Sequence, residues 1–454
     1  MNASELEAHL DGPIVHPEDP GFDEARSLWN TRFDRRPQAI ARVTSTADVA
    51  GAVRFAAERG LDLSVRGGGH AYAAQTVADG GLLIDLAAMD DIEVDAGTST
   101  ARIGPGVTCA DLDAATQSEG LAVPLPTVSS VGVIGAALGG GSGYLARRFG
   151  LTLDNVVAAE VVTASGEVIE VSEDAHPDLF WAIRGGGGNF GVVTSMTLRL
   201  HEVGPEVLGG QVIYSFDDAD RLLRAYRDFM QDAPRDLQCY AFCFRAPPID
   251  LFPADTHGHP VLDFVICHQD PDAADAVQAI REFGEPVLDL VGPAPYTQVQ
   301  QSFDANLPKG HRYLSRAHDL AELSDGAIAT MVEHVPDMAG AFTAAYFDPL
   351  GGAIADVGSS ETAFAGRGAA FGFHIIAGWM EPEGDEAVID WTTAFADDMA
   401  EHATGGVYVN LIGDDEMPER VSDAYGPNYD RLVRLKRRWD PTNLFGNNYN
   451  IPPD

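Results

Sequence analysis

A histidine stands at the end of a run of glycines in the stretch LSVRGGGHAYAAQT, Leu63–Thr76. Glycines let backbone N–H groups converge on an anion, because no Cβ obstructs the approach. The neutral imidazole that His70 carries near neutral pH is a competent nucleophile. The stretch therefore pairs a loop that can hold a phosphate with a side chain that can form a covalent bond. A tight turn with a packed histidine is the structural alternative.

Two further glycine clusters lie in the same half of the chain, in Gly132–Asn155 and Asp178–Leu200. GGGNFG (Gly186–Gly191) matches the dinucleotide pattern G-x-G-x-x-G, which must follow a strand and open a helix. Here the order is reversed: HPDLFWAIR before it predicts a helix with Pro177 in its first turn, and GVVTSMTLRL after it alternates like a strand. We therefore reject a Rossmann fold.

The elements around these clusters have clear signals. Residues 38–44 predict a strand, and Ser45 and Asp48 have capping-box spacing ahead of an alanine-rich helix that ends at Gly60. The strands LDLSV and GLLIDL follow, so the glycine loop begins where a strand ends. After about residue 203, strand-like runs alternate with amphipathic helices such as DRLLRAYRDFMQD. The chain of 454 residues is therefore expected to be an α+β protein of two domains.

The charge balance narrows the class of partner. Asp and Glu total 69 against 29 Lys and Arg, a formal net charge of -40, and lysine occurs only at Lys309 and Lys436. Such a surface repels nucleic-acid phosphates, and its self-repulsion is screened by salt, which suggests a high-salt cytoplasm and a halophilic source. The polar start, the short apolar runs and the four cysteines favour a reducing, cytoplasmic setting with no membrane span.

Four segments, in order, carry a family resemblance. VRGGGHAY, VSSVGVIGAALGGGSGYLARRFGLTLDN, DLFWAIRGGGGNFGVVTSMTLRL and YGPNYDRLVRLKRRWDPTNLFGNNYNIPP resemble FAD-linked oxidases of the vanillyl-alcohol oxidase / para-cresol methylhydroxylase fold, in the berberine bridge enzyme-like branch. The resemblance implies a PCMH-type FAD-binding domain over residues 1–202 (core about 37–202). It implies an antiparallel-sheet α+β substrate domain covered by helices over 203–410, and a C-terminal segment, 411–454, that returns to the first domain.

The resemblance also implies the cofactor and its contacts. His70 matches the family histidine that bonds covalently to the flavin, whereas the family's second, cysteinyl bond is not expected because Val128 stands in the cysteine's place. Val131 matches the position that gates oxygen, and a small residue there resembles the oxidases. The residues expected at FAD are Arg66, Gly67, Gly68, Gly69, His70, Ala71, Val128, Val131, Gly132, Gly140, Gly143, Tyr144, Asp154, Gly188, Gly191, Val193, Asn448 and Asn450.

The family strand that carries the catalytic base resembles AAFGFHIIAGW, which places His374 at the base position and Gly372 where the family has a lysine. Tyr408 in GVYVNLIGDDE matches the catalytic tyrosine, with Asn410 beside it. An imidazole with a pKa of about 6.5 can act as a base without tuning, while a tyrosine needs a cationic neighbour. Either His374 or Tyr408 could take the proton. Tyr72 could also line the pocket, and a pocket role for TAFAGR (Thr362–Arg367) is an open question.

The expected reaction takes a hydride from a C–H next to a hydroxyl, or less readily an amine, of a sugar or hydroxylated metabolite. Oxygen would accept the electrons and give hydrogen peroxide. A dehydrogenase with another acceptor and a non-catalytic flavin-binding redox protein are the alternatives. His257 and His259 are interpreted as a loop pair without a third ligand, and Cys239 and Cys243 as strand packing. No metal is expected, and the protein is expected to be a monomer or homodimer.

Overall fold

We describe a computed structural model of the chain over residues 3–73, 77–417 and 420–453. The strands are β1 Ile14–Val15, β2 Ala39–Arg42, β3 Leu63–Arg66, β4 Leu82–Asp85, β5 Ile92–Asp95, β6 Thr100–Ile103, β7 Leu121–Ala122, β8 Val156–Val162, β9 Val168–Ser172, β10 Val192–Arg199, β11 His201–Glu202, β12 Glu206–Ser215, β13 Leu237–Arg245, β14 Pro260–His268, β15 Leu288–Asp289, β16 Gly292–Pro295, β17 Arg312–Leu320, β18 Ala344–Pro349 and β19 Phe371–Trp379.

The α-helices are interspersed among these strands along the chain. They are α1 Ala3–Glu7, α2 Phe22–Arg26, α3 Thr46–Arg59, α4 Cys109–Gln117, α5 Val133–Gly139, α6 Ala146–Phe149, α7 Pro177–Ile183, α8 Ala219–Asp232, α9 Ala274–Arg281, α10 Tyr296–Gln300, α11 Asp325–His334, α12 Ala353–Asp356, α13 Asp385–Ala400, α14 Val421–Tyr425 and α15 Tyr429–Trp439. No helix of the described ranges is both long and apolar enough to cross a membrane.

A small sheet of order β1-β2-β4-β3 carries the first glycine loop at the end of β3. β2, β4 and β3 run parallel, and α3 packs on them. The helix begins after Ser45, whose side chain accepts the Asp48 N–H, and ends at Gly60, which adopts a left-handed φ of 59°. The strand, the cap and the helix end predicted here are confirmed.

A second, antiparallel sheet has the order β5-β6-β10-β8-β9. α7 begins at Pro177 and precedes the third glycine cluster, and β10 follows that cluster. The helix–glycine–strand order confirms the rejection of a Rossmann fold. Leu179, Phe180 and Ile183 of α7 are buried in the core that this sheet shares with α4 and α5.

The third sheet contains the antiparallel strand order β15-β12-β14-β13-β18-β19-β17, with β16 paired to β12. Helices α8, α9, α11 and α13 cover one face of it, as expected for an α+β domain. Side chains alternate along each strand, so Phe373 and Ile375 of β19 join the core under the helices while His374 points to the opposite face. That opposite face packs on the first half of the chain, where Tyr240 meets Tyr144 with ring centroids 5.7 Å apart.

The chain returns to the second sheet after α13. Val407, Val409 and Ile412 are buried in its core, and α15 then packs on α7. Lys436 of α15 is fully buried and its Nζ donates to a carboxylate oxygen of Asp440 at 2.7 Å and to the carbonyl of Phe445 at 3.1 Å. These bonds fix the start of the asparagine-rich tail.

Candidate active site

The first glycine loop lies directly against the second glycine cluster. A Cβ added to Gly68 would lie 2.5 Å from the backbone nitrogen of Gly132, so only glycine permits this approach. Arg66 ends β3 with a buried guanidinium that donates to Asp85 at 2.8 Å and to the Ala25 carbonyl at 2.6 Å. The Arg66 side chain is therefore occupied by protein acceptors, and only the backbone of Arg66 is left to bind an anion.

His70 is held at the loop's end by two residues that the sequence did not single out. Its Nε2 lies 2.8 Å from the Ser130 Oγ, and its ring stacks on Trp29 with centroids 4.1 Å apart. Burial lowers the pKa of His70 to about 4, so the imidazole is neutral and its lone pair is available at neutral pH. Ala71 follows and is partly exposed.

The segment around Trp29 joins the flavin loop to the third sheet. Trp29 stacks on Tyr313 of β17 at 3.9 Å, and its Nε1 donates to the Leu307 carbonyl at 3.1 Å. Asn30 is fully buried, and its Nδ2 donates to the carbonyls of Tyr72 and Tyr313 at 2.8 and 2.9 Å. This segment thereby fixes the loop of His70 and Tyr72 relative to the sheet.

A turn at Val128 precedes the second glycine cluster, and in it the Val131 N–H donates to the Val128 carbonyl at 3.2 Å. Gly132 then caps α5. Cys109 donates its backbone N–H to the Val131 carbonyl at 2.9 Å, but its side chain is buried in the core. Val131 is partly exposed, as a residue that contacts a ligand must be.

Tyr408 and Asn410 pack on the C-terminal end of α5. The Tyr408 hydroxyl accepts the Gly141 N–H at 2.7 Å and an N–H from Asn410 at 3.0 Å. A Cβ added to Gly140, whose φ is 152°, would lie 2.5 Å from the Tyr408 ring. Burial raises the pKa of Tyr408, so the hydroxyl is protonated at neutral pH.

Three residues expected at the cofactor make close contacts or hydrogen bonds with other residues of the protein. A Cβ on Gly143 would collide with the Leu125 carbonyl, and the Tyr144 hydroxyl pairs with Ser302 at 2.8 Å. The Asp154 carboxylate accepts hydrogen bonds from both terminal nitrogens of the Arg367 guanidinium, at 2.6 and 2.7 Å. The Asp154 carboxylate is therefore committed to protein donors, and the same ion pair gives Arg367 a structural role in TAFAGR.

The third cluster meets the C-terminal tail. Gly191 has a φ of 157°, and a Cβ there would lie 2.5 Å from Val161, while Val193 pairs with Val161 across the sheet. A Cβ on Gly188 would reach 3.9 Å from the Nδ2 of Asn448. The Oδ1 atoms of Asn448 and Asn450 are buried and have no hydrogen-bond partner in the described residues.

His374 is 4% exposed and faces the aromatic side of the third sheet, with its ring 4.9 Å from that of Tyr346. Its Nδ1 is buried with no hydrogen-bond partner in the described part of the chain. Burial lowers the pKa of His374 to about 3, which makes the imidazole a weak base. A Cβ on Gly372 would lie 2.5 Å from the His374 Nε2, so this ring leans over Gly372.

Asp348 on the neighbouring strand β18 was not predicted. It is 5% exposed, and its Oδ1 accepts an N–H from Gln238 at 2.9 Å while its Oδ2 accepts the Ser142 hydroxyl at 3.3 Å. Burial raises the pKa of Asp348 to about 7. The sequence offered one signal: AAYFDP alternates so that Asp348 shares a face with Tyr346.

Comparison with known proteins matches regions that contain the segments of the family resemblance. The family model described as "FAD binding domain" matches residues 37–172, and the one described as "Berberine and berberine like" matches 407–452. The chain is 31% identical to (R)-6-hydroxynicotine oxidase of Paenarthrobacter nicotinovorans, over 98% of this chain and 97% of the relative. It belongs to the berberine bridge enzyme-like FAD-linked oxidases. An FAD-linked oxidoreductase of Bacillus subtilis, YgaK, is 30% identical over 98% of this chain and 97% of its own.

Solved structures of this family have the same fold. 6-Hydroxy-D-nicotine oxidase from Arthrobacter nicotinovorans matches with a TM-score of 0.89 and 29% identity over 100% of both chains. The glucooligosaccharide oxidase of Acremonium strictum matches with a TM-score of 0.87 and 25% identity over 99% of both. The predicted fold, a PCMH-type FAD domain with an antiparallel substrate sheet, is confirmed.

The residues present fit FAD. The backbones of Gly68 and Gly132 touch, which a Cβ on either residue would prevent, and glycine backbone N–H groups brought together in this way can bind a pyrophosphate. The unpartnered Oδ1 atoms of Asn448 and Asn450 are acceptors for the N–H of a flavin ring. Within the described ranges no group of three or more His, Cys, Asp or Glu side chains could hold a metal ion.

Proposed function

We propose that this oxidase removes a hydride from the alcohol carbon of a sugar or hydroxylated metabolite and passes the electrons to oxygen, which yields hydrogen peroxide. The observation that carries the proposal is a contact between the His374 face of the third sheet and the second glycine cluster. The Ser142 hydroxyl donates to Asp348 on that face, and the neighbouring Gly141 N–H donates to Tyr408. A relative named as an oxidase of 6-hydroxynicotine supports an oxidase, and one named as an oxidase of glucooligosaccharides supports a sugar-like substrate. FAD, when bound, supplies the hydride acceptor.

The chain's own residues orient the substrate. The buried imidazole of His374 is neutral and can donate or accept one hydrogen bond to a substrate hydroxyl. Tyr408 stays protonated and is held by Gly141 and Asn410, so it orients the substrate without taking its proton. Tyr346 and Phe242, stacked at 4.2 Å, offer an apolar wall that excludes water from the reacting carbon.

A covalent bond from His70 to the flavin belongs to the same proposal. The neutral, stacked imidazole supports it, as does the 8α-N1-histidyl FAD of the glucooligosaccharide oxidase. That relative also has a 6-S-cysteinyl bond, whereas Val128 leaves this chain with one bond. We also propose that Val131 admits oxygen. Further proposals are the domain limits 1–202, 203–410 and 411–454, a halophilic source and a cytoplasmic location.

The experiment is a panel of glucose, cellobiose, benzyl alcohol and 4-hydroxybenzyl alcohol, tested on the purified yellow protein with peroxide detection. Anaerobic flavin bleaching by one of them, followed by peroxide in air, is the expected result. Bleaching with slow reoxidation in air would instead identify a dehydrogenase. A protein whose flavin no alcohol or sugar bleaches would refute the alcohol-oxidase proposal.

A further inference from the structure

We propose that the alcohol this enzyme oxidises carries an uncharged aromatic ring, and that Phe242 and Phe303 select this ring against sugars. The inference rests on the proposed alcohol oxidation and narrows its substrate class. Its basis is the arrangement of partly exposed aromatic side chains beside His374.

One side of the site is an aromatic wall on strands β13 and β18. Phe242 pairs with Tyr346 across these strands, and their rings stack with centroids 4.2 Å apart and planes inclined by 18°. Tyr346 pairs in turn with His374 of β19, and its ring lies 4.9 Å from the imidazole. The wall therefore extends up to His374, whose buried Nδ1 has no hydrogen-bond partner in the described residues.

The segment after α10 covers the outer end of this wall. The Phe303 ring lies 4.7 Å from that of Phe242, with planes inclined by 35°. Asp304 beside it accepts the Ser129 N–H at 2.8 Å, which anchors the segment to the turn before the second glycine cluster. Phe303 is therefore held between the cofactor-binding half of the chain and the third sheet.

The opposite side of the site is apolar as well. Tyr346 also packs against the cluster formed by Trp29, Tyr313 and Ile376. The other partly buried side chains of this cluster are Tyr72, Leu307 and Leu411. Large apolar side chains that stay partly exposed around one or two polar groups are typical of a ligand pocket.

Such walls suit a flat aromatic ring better than a sugar. A sugar ring carries several hydroxyls, and each hydroxyl that leaves water needs a hydrogen-bond partner. Phe242, Phe303 and Ile376 offer none, whereas aromatic side chains stack favourably on an aromatic ring. Each hydroxyl left without a partner should lower kcat/KM about tenfold, so three of them should lower it about 10³-fold.

The charges on the sheet face disfavour an anionic ring. The carboxyls on the same face as His374 are those of Asp263, Asp319 and Asp348, all buried. Along strands β12–β14 and β17–β19, which the structure describes in full, no lysine or arginine lies on that face. A substrate carboxylate would therefore lose its hydration there with no cation of the sheet to pair with. An uncharged ring avoids this cost.

The first test compares alcohols on the wild-type holoenzyme, by anaerobic flavin bleaching and by kcat/KM in air. Benzyl alcohol should exceed glucose and cellobiose about 10³-fold in kcat/KM. Methyl 4-(hydroxymethyl)benzoate should exceed 4-(hydroxymethyl)benzoate, which has the same ring and a carboxylate, at least about tenfold.

The second test changes the wall. Phe242→Ala and Phe303→Ala should each lower kcat/KM for benzyl alcohol about tenfold, through KM more than through kcat, and Phe242→Leu about 2–10-fold. Phe244→Ala is the matched control, because Phe244 lies on the same strand and face but belongs to a separate cluster with Phe252. It should keep the wild-type KM. Equal FAD content in all variants separates lost stacking from a lost fold.

A measurement without turnover completes the test. Benzamide, titrated into the oxidised holoenzyme and followed by flavin absorbance, should bind about 2–10-fold more tightly than cyclohexanecarboxamide, and Phe242→Leu should reduce this difference. Equal Kd values for the two amides, or a kcat/KM for glucose or cellobiose as large as that for benzyl alcohol, would overturn the aromatic assignment and leave the alcohol-oxidase proposal intact. Failure of the wild-type protein to oxidise any alcohol or sugar would remove both.

Discussion

Trp29 and His70 stack with ring centroids 4.1 Å apart and planes inclined by 25°. The other face of Trp29 stacks on Tyr313, with an interplanar angle of 6°. The three rings form a column that runs from the flavin loop to strand β17 of the substrate sheet. Since Asn30 bridges the backbones of Tyr72 and Tyr313 beside this column, the N-terminal segment positions the predicted attachment residue relative to the substrate side.

Replacing Trp29 should therefore lower covalent attachment more than cofactor binding. In Trp29→Ala the His70 ring loses its stacking partner and can rotate away from the flavin, so the covalent share of bound FAD should fall several-fold. Trp29→Phe keeps an aromatic face and should keep most of the bond. Acid precipitation with intact-mass measurement gives the covalent share, and absorbance of the native protein gives total FAD.

His70→Ala is the reference for zero attachment. A structural defect alone would lower total FAD and the covalent share in parallel, so the ratio of the two isolates positioning. An unchanged ratio in Trp29→Ala would show that the stacking does not orient His70.

Two glycines of α5 should respond in opposite ways to alanine. A Cβ on Gly139 would collide with the Asn410 side chain, which donates to the Ala136 carbonyl at 3.1 Å and to Tyr408. Gly139→Ala should displace Asn410 and Tyr408, lower the rate of flavin reduction at least tenfold and destabilise the fold by about 1–3 kcal/mol. Urea unfolding and stopped-flow reduction measure the two effects.

Gly135 provides the control in the same helix. A Cβ there meets nothing within 4 Å, and its φ is not left-handed, so Gly135→Ala should gain about 0.5–1 kcal/mol through helix propensity. Equal effects of the two substitutions would contradict the contact between Gly139 and Asn410.

Local signals in the sequence predicted much of the fold. The Ser45 cap, the Gly60 helix end and the helix–glycine–strand order around Pro177 each depend on neighbouring residues, and each is present. In the structure, Phe373 and Ile375 lie in the core under the helices, and the alternation along β19 therefore turns His374 to the opposite face. These features follow from backbone conformation and from the burial of one face, which a short window of sequence reports.

Contacts between distant residues could not be predicted in the same way. Ser142 and Asp348 are 206 positions apart, and Ser130 and His70 are 60 apart, with no spacing rule to join them. Trp29 carries no motif at all. Asp154 is the opposite case. A local motif predicts that it contacts the cofactor, but in the structure its carboxylate is paired with Arg367, which lies far along the chain.

The buried pair Lys436–Asp440 should make a large contribution to stability. Both side chains are fully buried, and the Lys436 Nζ also donates to the Asn189 carbonyl at 2.8 Å. Lys436→Met leaves the Asp440 carboxylate without its cation and should cost about 3–5 kcal/mol of the free energy of unfolding. Lys436→Met with Asp440→Leu should recover part of this loss, because no buried charge is left unpaired although the N–H groups of Leu444 and Phe445 lose their acceptor.

Lys309 is the other lysine of the chain and is exposed, so Lys309→Met should change the unfolding free energy by less than about 0.5 kcal/mol. Urea denaturation followed by fluorescence measures all three variants. A loss in Lys436→Met no larger than that in Lys309→Met would contradict the structural role of the pair.

Salt should stabilise this protein. With a formal net charge of -40, the folded surface repels itself, and the repulsion is stronger in the compact state than in the unfolded chain. Raising KCl from about 0.1 M to about 1 M shortens the screening length from about 10 Å to about 3 Å. The melting temperature should therefore rise steeply at low KCl and level off as the screening length falls below the spacing of surface charges. Each 1 kcal/mol of stabilisation corresponds to about 2–4 °C for domains of this size. Differential scanning calorimetry across the KCl series gives the curve, and a flat or falling melting temperature would count against the high-salt adaptation inferred from composition.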